Sequence, residues 1–594
     1  MRLETGNSTQ NSGDPIHTPP NHPRRPLSPT PSISFYSPTQ SNLLGAPNRS
    51  EPKLSATKQT SMVHVTRHSD NIPLKRSETR KDPPFQALPR LEGRLKLVWI
   101  AILALSTTLP LPAQSQPSTE TIQIDLTAPA HPLPHFWEQM FGSGRAILSL
   151  RDDYRRDLRD VKQATDFKYI RFHAIFHDEI GLYDEDATAK PIYNFSYVDQ
   201  IYDGLLQNGV RPFVELSFMP RKLAAQPIEH VFWYHPIIAP PKDWNKWSDM
   251  ITQFTQHLVA RYGIDEVSQW YFEVWNEPNL DFWAGDPKEA TYYRLYDTTA
   301  RTIKAVNPRL RVGGPSTAQA AWVDRFIKHV VENNVPVDFV STHVYGNDDA
   351  KNVLFTDESV PRTQMVCRAA AKVHDQVKAS PRPDLPIFFT EYNASYKNEP
   401  DVTDGPFMGP WLADTIRQCD GLTQIMSYWA FSDVFEEQGV VKEPFYGGFG
   451  VIAEDGIPKP AFNAFKLLHE LGDQRIALNS KDALVTRSAD GTYVIAVWNL
   501  FLPEEKGESK NVTLELKGIV GNRHALVSRV DATHGSPLEA YTAMGHPADP
   551  TAAQIEKLRQ VAQLPPPEKV QFRKGALNLV LPPQGLALVK VEAR

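Results

Sequence analysis

Cysteine is almost missing from this chain. Of 594 residues only Cys367 and Cys419 are cysteines, so no CxxC pair exists, and the histidines form no HExxH pattern. A structural or catalytic zinc centre is thereby excluded as an expectation, and neither metal nor cofactor is expected. Both cysteines fall in helix-like stretches, and two buried free thiols are expected in preference to a disulfide. Long apolar runs are also lacking. The longest such stretch, about ten residues after Arg94-Leu95-Lys96, is short for a membrane span. No basic block lies beyond the first hundred residues, and the formal net charge is −6, which argues against a nucleic-acid partner.

Proline is plentiful but unevenly spread. Residues 1–94 hold 14 of the 51 prolines and 13 Lys/Arg against 7 Asp/Glu, with no sustained apolar period. That composition reads as a disordered leader. Residues 95–115 follow with a basic flank, an apolar core and a small, polar exit, the layout of a secretory signal peptide. Its position implies a start codon placed too far upstream, and a secreted or periplasmic product. The alternative is a membrane anchor behind a cytoplasmic tail.

From about residue 119 short apolar runs alternate with longer amphipathic ones, the signature of βα units. Eight strands are expected at 138–144, 167–176, 211–218, 269–276, 311–315, 337–345, 386–392 and 424–431. Helices are expected at 244–262, 287–306, 320–334, 363–379, 408–419 and 460–471, the second of these with Asp286 as N-cap and Pro287 at its first position. The fold class is therefore α/β: a (β/α)8 TIM barrel over 131–474, with an accessory antiparallel β-sandwich over 475–594. Sandwich strands are expected at 483–486, 492–499, 511–516, 524–531 and 577–591. Residues 116–130 contribute a strand pairing with the sandwich, and 538–564 is an irregular insertion.

Two stretches carry chemistry. Trp270-Tyr271-Phe272-Glu273-Val274-Trp275-Asn276-Glu277-Pro278-Asn279 is an apolar strand ending in Asn-Glu-Pro, stopped by a proline with no N–H to give. Pro386-Ile387-Phe388-Phe389-Thr390-Glu391 is an apolar strand ending in a second glutamate. Both carboxyls then stand at the C-terminal mouth of the barrel, on strands four and seven, facing one another. Glycoside hydrolysis requires two carboxyls flanking one bond, about 5–5.5 Å apart for retention and about 6.5–9.5 Å for inversion.

On these residues the chain resembles glycoside hydrolase family 39. The narrower matches are Glu273 to Leu280 with Phe282-Trp283, Arg171-Phe172-His173, Thr342-His343-Val344-Tyr345, Tyr428 to Glu437, and Gly447 to Gly450. The similarity spans roughly residues 120–590. It implies a retaining mechanism with Glu277 as acid/base and Glu391 as nucleophile. It also implies that Asn276 meets the sugar 2-hydroxyl, Tyr345 orients Glu391, and His173 and His343 line the sugar pocket. Trp429 would be an apolar platform. Glu436 and Glu437 would take sugar hydroxyls, and Asp178, on the loop after strand two, would complete the pocket. Ala174 departs from the glycine common after the strand-two histidine.

Strand-end positions are mainly neutral or acidic, with Arg145 and Lys442 the basic candidates nearby. A uronic acid wants Arg or Lys, so a neutral sugar is favoured. The expected activity is a β-xylosidase acting on an oligosaccharide or polysaccharide-derived glycoside. The alternatives are an exopolysaccharide-active β-glycosidase, an α-L-iduronidase, or a non-catalytic sugar-binding barrel. A homo-oligomer stays open.

Overall fold

The computed structural model of the chain describes residues 118–518 and 524–592. The leader and the signal-peptide or anchor segment lie outside the described residues. Among the described residues no helix is long and apolar enough to cross a membrane.

Eight strands close into a barrel: β1 Met140–Ser143, β2 Tyr169–Phe172, β3 Arg211–Glu215, β4 Tyr271–Glu273, β5 Arg311–Thr317, β6 Phe339–Tyr345, β7 Ile387–Asn393 and β8 Ile425–Tyr428. Every neighbouring pair is parallel, and β8 returns to β1. Each strand falls within, or overlaps, a stretch read as a strand from the sequence. The helices alternate with them: α1 Asp152–Thr165, α2 Ser196–Gln207, α3 Trp244–Tyr262, α4 Lys288–Val306, α5 Val323–Glu332, α6 Arg362–Lys378, α7 Met408–Cys419 and α8 Pro460–Leu468. The start of α4 is one residue later than expected. Pro287 itself takes the cap position with extended ψ of 139°, and its carbonyl accepts the first helical bond from Thr291.

The barrel interior is layered. Met140, Phe213, Phe339, Phe388 and Ile425 plug its lower end, with Tyr169 and Tyr271 packed against them. The Phe339 and Phe388 rings stack at 5.1 Å. Above this dry floor the inward positions turn polar, and register sets what meets what. Glu215 on β3 lies opposite Glu273 on β4, and His343 on β6 lies opposite Glu391 on β7.

The second layer of the molecule is a β-sandwich. One sheet has seven strands, from Ala130–Pro132 through Gln474–Ile476, Ala483–Arg487, Tyr493–Asn499, Gly585–Val591 and His524–Val530 to Glu568–Gln571. The other has three: Ser118–Asp125, Lys510–Lys517 and Ala576–Leu581. Alternating residues such as Ile122, Ile124, Val512, Leu514 and Leu579 fill the space between them. Three expectations need correction here. The sandwich is not wholly antiparallel: Ser118–Asp125 pairs with it as expected, but runs parallel to Lys510–Lys517. The stretch 577–591 is two strands, broken at the Pro582-Pro583-Gln584 turn, where Gln584 has φ 58°. The insertion is not irregular, since it carries the helices Leu538–Ala543 and Ala552–Val561, the latter with a Thr551–Gln554 capping box.

The cysteines also overturn their expectation. Cys367 on α6 and Cys419 at the end of α7 form a disulfide, with Cα atoms 5.1 Å apart. The two helices pack side by side, which brings into bonding range two residues 52 apart in sequence.

Candidate active site

A cavity of about 400 Å³ opens at the C-terminal mouth of the barrel. Glu277 and Glu391 both line it, together with Asn276, His173, Tyr345, Trp429 and Glu437. A carboxylate oxygen of Glu277 comes within 4.8 Å of one of Glu391. That separation belongs with the closer of the two spacings that glycosidases use.

Arg171 organises the floor. It is fully buried on β2 and donates to Glu273 at 2.6 Å, Glu391 at 2.8 Å and Asn276 Oδ1 at 2.9 Å, with Glu215 2.8 Å away. One guanidinium thus faces three carboxylates, and its five N–H groups suit that fan of acceptors. Burial opposes its charge, but the carboxylates outweigh this and raise its pKa. His173 repeats the pattern on a smaller scale. Its Nδ1 is 2.7 Å from Glu215, and although burial disfavours its charge, Glu215 raises its pKa. Asn276, with its oxygen held by Arg171, has its amide NH2 left to meet a hydroxyl.

The two glutamates sit in unlike surroundings. Burial raises the pKa of both. Glu391 is pulled back by Arg171, by His173 and by the Tyr345 hydroxyl, which donates to it at 2.6 Å. Glu277 is pushed up further by the charges of Glu391 and Asp348. Among the described residues its side-chain hydrogen-bond partner is His343, whose Nδ1 is 2.9 Å from Oε1. Burial beside Arg171 and His173 drives the pKa of His343 well below that of an ordinary imidazole, so the ring is neutral. Of the coupled pair, Glu391 therefore carries the charge and Glu277 the proton. Behind His343 stands Thr390, 3.1 Å from Nε2, which in turn donates to Glu273. The backbone around Glu277 is strained. Trp275 and Glu277 have φ of 72° and 44°, and Glu277 N–H donates to Ser316 O.

Trp429 packs against β1, where only glycine fits. A Cβ on Gly142 would lie 2.1 Å from the indole. Glu437 is half-buried at the cavity wall with its pKa pushed up to about 8, chiefly by desolvation. Its Oε1 has no hydrogen-bond partner.

Three expected site residues are placed elsewhere. His343 is fully buried behind Glu277 and does not line the cavity. Asp178 turns outward to the Arg221 backbone N–H on the loop after β3. Glu436 is taken by Arg145 and Arg151, at 3.1 and 2.6 Å, and lines an adjoining cavity of about 200 Å³. The expected basic candidates also stand aside. Arg145 is occupied by Glu179 and Glu436, and Lys442 lines the adjoining cavity. Ala174 has φ 74°, which explains why a glycine is the easier choice there. The sequence reading missed the site roles of Arg171, Glu215 and Glu273, although both glutamates close apolar strands. Phe232, Gln319, Asp348 and Tyr396 also line the cavity and gave no sequence signal.

Among the described residues two groups converge closely enough to grip a cation: Glu277, His343 and Glu391, and His135, Glu138 and His469. In the first, Arg171 and Tyr345 already engage Glu391. In the second, both histidines approach Glu138 at 2.6 and 2.8 Å, the distances of hydrogen bonds.

A (β/α)8 barrel with an ionised and a protonated carboxyl facing one another at its mouth is the equipment of a glycoside hydrolase. The model of glycosyl hydrolases family 39 matches residues 120–575, and the chain belongs to that family. A β-xylosidase of Geobacillus stearothermophilus is 36% identical over 471 residues, 77% of this chain and 92% of that protein. The crystal structure of a monomeric β-xylosidase from Caulobacter crescentus CB15 matches with a TM-score of 0.72 and 34% identity, over 80% of this chain and 99% of that one. The α-L-iduronidase of Mus musculus is 23% identical over 467 residues, 68% of this chain and 69% of that protein.

Proposed function

We propose that the chain is a retaining β-xylosidase working by double displacement, with Glu391 as nucleophile and Glu277 as acid/base. The observation that carries this is the inequality of the two carboxyls: Glu391 is kept charged by Arg171 and Tyr345, and Glu277 is kept protonated beside a neutral His343. In the first step Glu391 attacks the anomeric carbon. The glycosidic C–O bond breaks, and the proton of Glu277 passes to the leaving oxygen. As the Glu391 charge is consumed, Arg171 retains Glu215 and Glu273, so its own charge is not left unpaired. In the second step Glu277, now a carboxylate, takes a proton from water. The resulting hydroxide attacks the anomeric carbon and releases Glu391. Asn276 meets the 2-hydroxyl, and Trp429 covers the apolar face of the ring.

The relatives named as β-xylosidases support a xylose glycone, and so does the lining. Among the described residues no lysine or arginine lines the cavity, and Arg171 beneath it is taken up by three carboxylates, which disfavours an iduronide. Export from the cytoplasm is part of the same reading. The Cys367–Cys419 bond supports it, since disulfides persist in oxidising compartments.

The test is Glu277→Gln with two classes of substrate. Natural xylosides, whose alkoxide must be protonated, should slow by about 10²–10⁴-fold, and a dinitrophenyl xyloside much less. Because the base is also gone, a glycosyl-enzyme should accumulate. Intact-protein mass spectrometry should find one pentose on the peptide carrying Glu391. Equal loss on both substrates with no adduct would show the roles to be wrong, and a hexose adduct would show the sugar to be wrong.

A further inference from the structure

The pairing of β6 with β7 skips a residue beside the active site. Thr342 lies opposite Phe389 and His343 opposite Glu391, so Thr390 is the extra residue of a bulge. Ordinary alternation would send Thr390 to the face opposite Glu391. Instead both reach the barrel interior, Glu391 to Arg171 and Thr390 to Glu273 on β4. Thr390 and His343 are fully buried there. The Thr390 hydroxyl is thus placed between the Glu273 carboxylate, at 2.8 Å, and His343 Nε2, at 3.1 Å.

A hydroxyl has one proton to give. Glu273 is paired with the Arg171 guanidinium and offers only lone pairs, so the Thr390 proton goes to Glu273. Toward His343 the hydroxyl then presents a lone pair, and Nε2 must carry the ring proton. Ser316 Oγ is also near Nε2, but it stands further off at 3.4 Å and receives Arg171. His343 is neutral, so with its proton on Nε2 its Nδ1 is bare. A bare nitrogen repels a carboxylate and accepts from a carboxylic acid. The Glu277 oxygen 2.9 Å from Nδ1 is therefore a hydroxyl.

We infer that Thr390 is a positioning residue: anchored on Glu273, it fixes the tautomer of His343 and so keeps the acid/base proton on Glu277 until a leaving group takes it. The inference rests on the acid/base role proposed above for Glu277. The same bare nitrogen faces the Glu277 carboxylate left after the first step, and strengthens its pull on a proton of the attacking water. Other charges also face Glu277. Glu391 on β7, Asp348 after β6 and Glu437 after β8 favour the protonated acid, and Arg171 on β2 opposes it. His343 itself is faced by Arg171 and His173, which hold it neutral, and by Glu391 Oε1, 3.5 Å from Nδ1. None of these groups is removed when Thr390 loses its hydroxyl, so the share of the chain can be read separately.

The test is Thr390→Val, which keeps the shape of the side chain and removes the hydroxyl. With no anchor at Nε2 the ring is free to carry its proton on Nδ1 and donate it to a Glu277 carboxylate, so Glu277 gives up its own proton at lower pH. For methyl β-xyloside, whose alkoxide needs that proton, the basic limb of kcat/KM against pH should move down by about 1 pH unit. For a dinitrophenyl xyloside, whose leaving group needs none, it should stay, which separates Glu277 from Glu437. Thr390→Ser should hold both limbs where the wild type has them. A methyl xyloside limb unmoved in Thr390→Val, or moved alike on both substrates or in Thr390→Ser, would overturn the inference. Should Thr390→Val fail to fold, neutron diffraction from wild-type crystals decides: deuterium on His343 Nε2 supports the inference, and deuterium on Nδ1 alone refutes it. A wild type whose two substrates share one basic limb would instead overturn the acid/base role of Glu277, and with it the proposed function.

Discussion

At the scale of single residues, one position behaves unlike its type. Glu437 has its pKa pushed up to about 8, so at pH 7 it is a neutral carboxylic acid that can donate a hydrogen bond as well as accept one. Gln is then the closer substitute than any charged residue. Glu437→Gln should keep kcat/KM within about tenfold of wild type at pH 6, while Glu437→Ala should lose about 100-fold or more by leaving a hole at a sugar hydroxyl. Wild-type binding should also weaken above pH 8, as the acid ionises beside Glu391, and Glu437→Gln should lose that limb. Steady-state kinetics between pH 5 and 9 checks both. What the sequence shows at this scale follows from geometry. Glu277 and Glu391 were legible because each follows an apolar run at the C-terminal end of a strand, Glu277 just past β4 and Glu391 two residues before the end of β7, and that end of a parallel barrel has one place to go. Asp178 and Glu436 were misread because they lie in loops, where the direction of a side chain depends on distant partners, Arg221 for one and Arg145 and Arg151 for the other. Arg171 was passed over because a charged residue inside a strand gives no local sign that three carboxylates wait at the same height, and Glu215 and Glu273, though they end their strands, stand in no motif like Asn-Glu-Pro.

At the scale of elements, strands were easier to read than contacts between helices. Buried parallel strands show as β-branched and aromatic runs, and α3 and α7 run from end to end as their periodicity predicts. The turn at Pro582-Pro583 was visible as two prolines but was read through, because apolar residues resume on both sides. The Cys367–Cys419 bond was not legible, since nothing local states that α6 and α7 pack together at those two residues. Its effect on stability is open to measurement. Closing a loop of 52 residues should stabilise the fold by about 4 kcal/mol on the chain-entropy account. The double substitution Cys367→Ala, Cys419→Ala should lower the denaturant midpoint accordingly, with activity retained on a dinitrophenyl xyloside below the transition. An unchanged midpoint would mean that the two helices are already fixed by packing alone.

At the scale of the whole molecule, the barrel and the sandwich are joined beneath β1. Leu133 N–H donates to Asp473 O, and Arg475 and His131 both reach Asp420. Nearby, His469 at the end of α8 bonds the buried Glu138 carboxylate, and this bond raises its pKa above the ordinary imidazole value. A raised histidine contributes stability that is complete below about pH 6.5 and is lost as pH rises through the raised value. The side chain is 39% exposed, so solvent screening limits the effect to about 0–1 kcal/mol. Thermal denaturation should show the wild type losing its margin over His469→Gln as pH rises above about 6.5; a margin that grew with pH would contradict the assignment. The joint also has a history in time. Ser118–Asp125 pairs with Lys510–Lys517, and the Lys517–Asp125 ion pair closes 392 residues of chain. On a ribosome adding about 5–20 residues per second, the first of these strands waits roughly 20–80 s for its partner to be made. Throughout that interval Ile122 and Ile124 have no sheet to enter. All eight barrel strands are made during the wait, but the sandwich cannot form, so the nascent enzyme carries a sticky, unmated edge that a holdase chaperone would meet first.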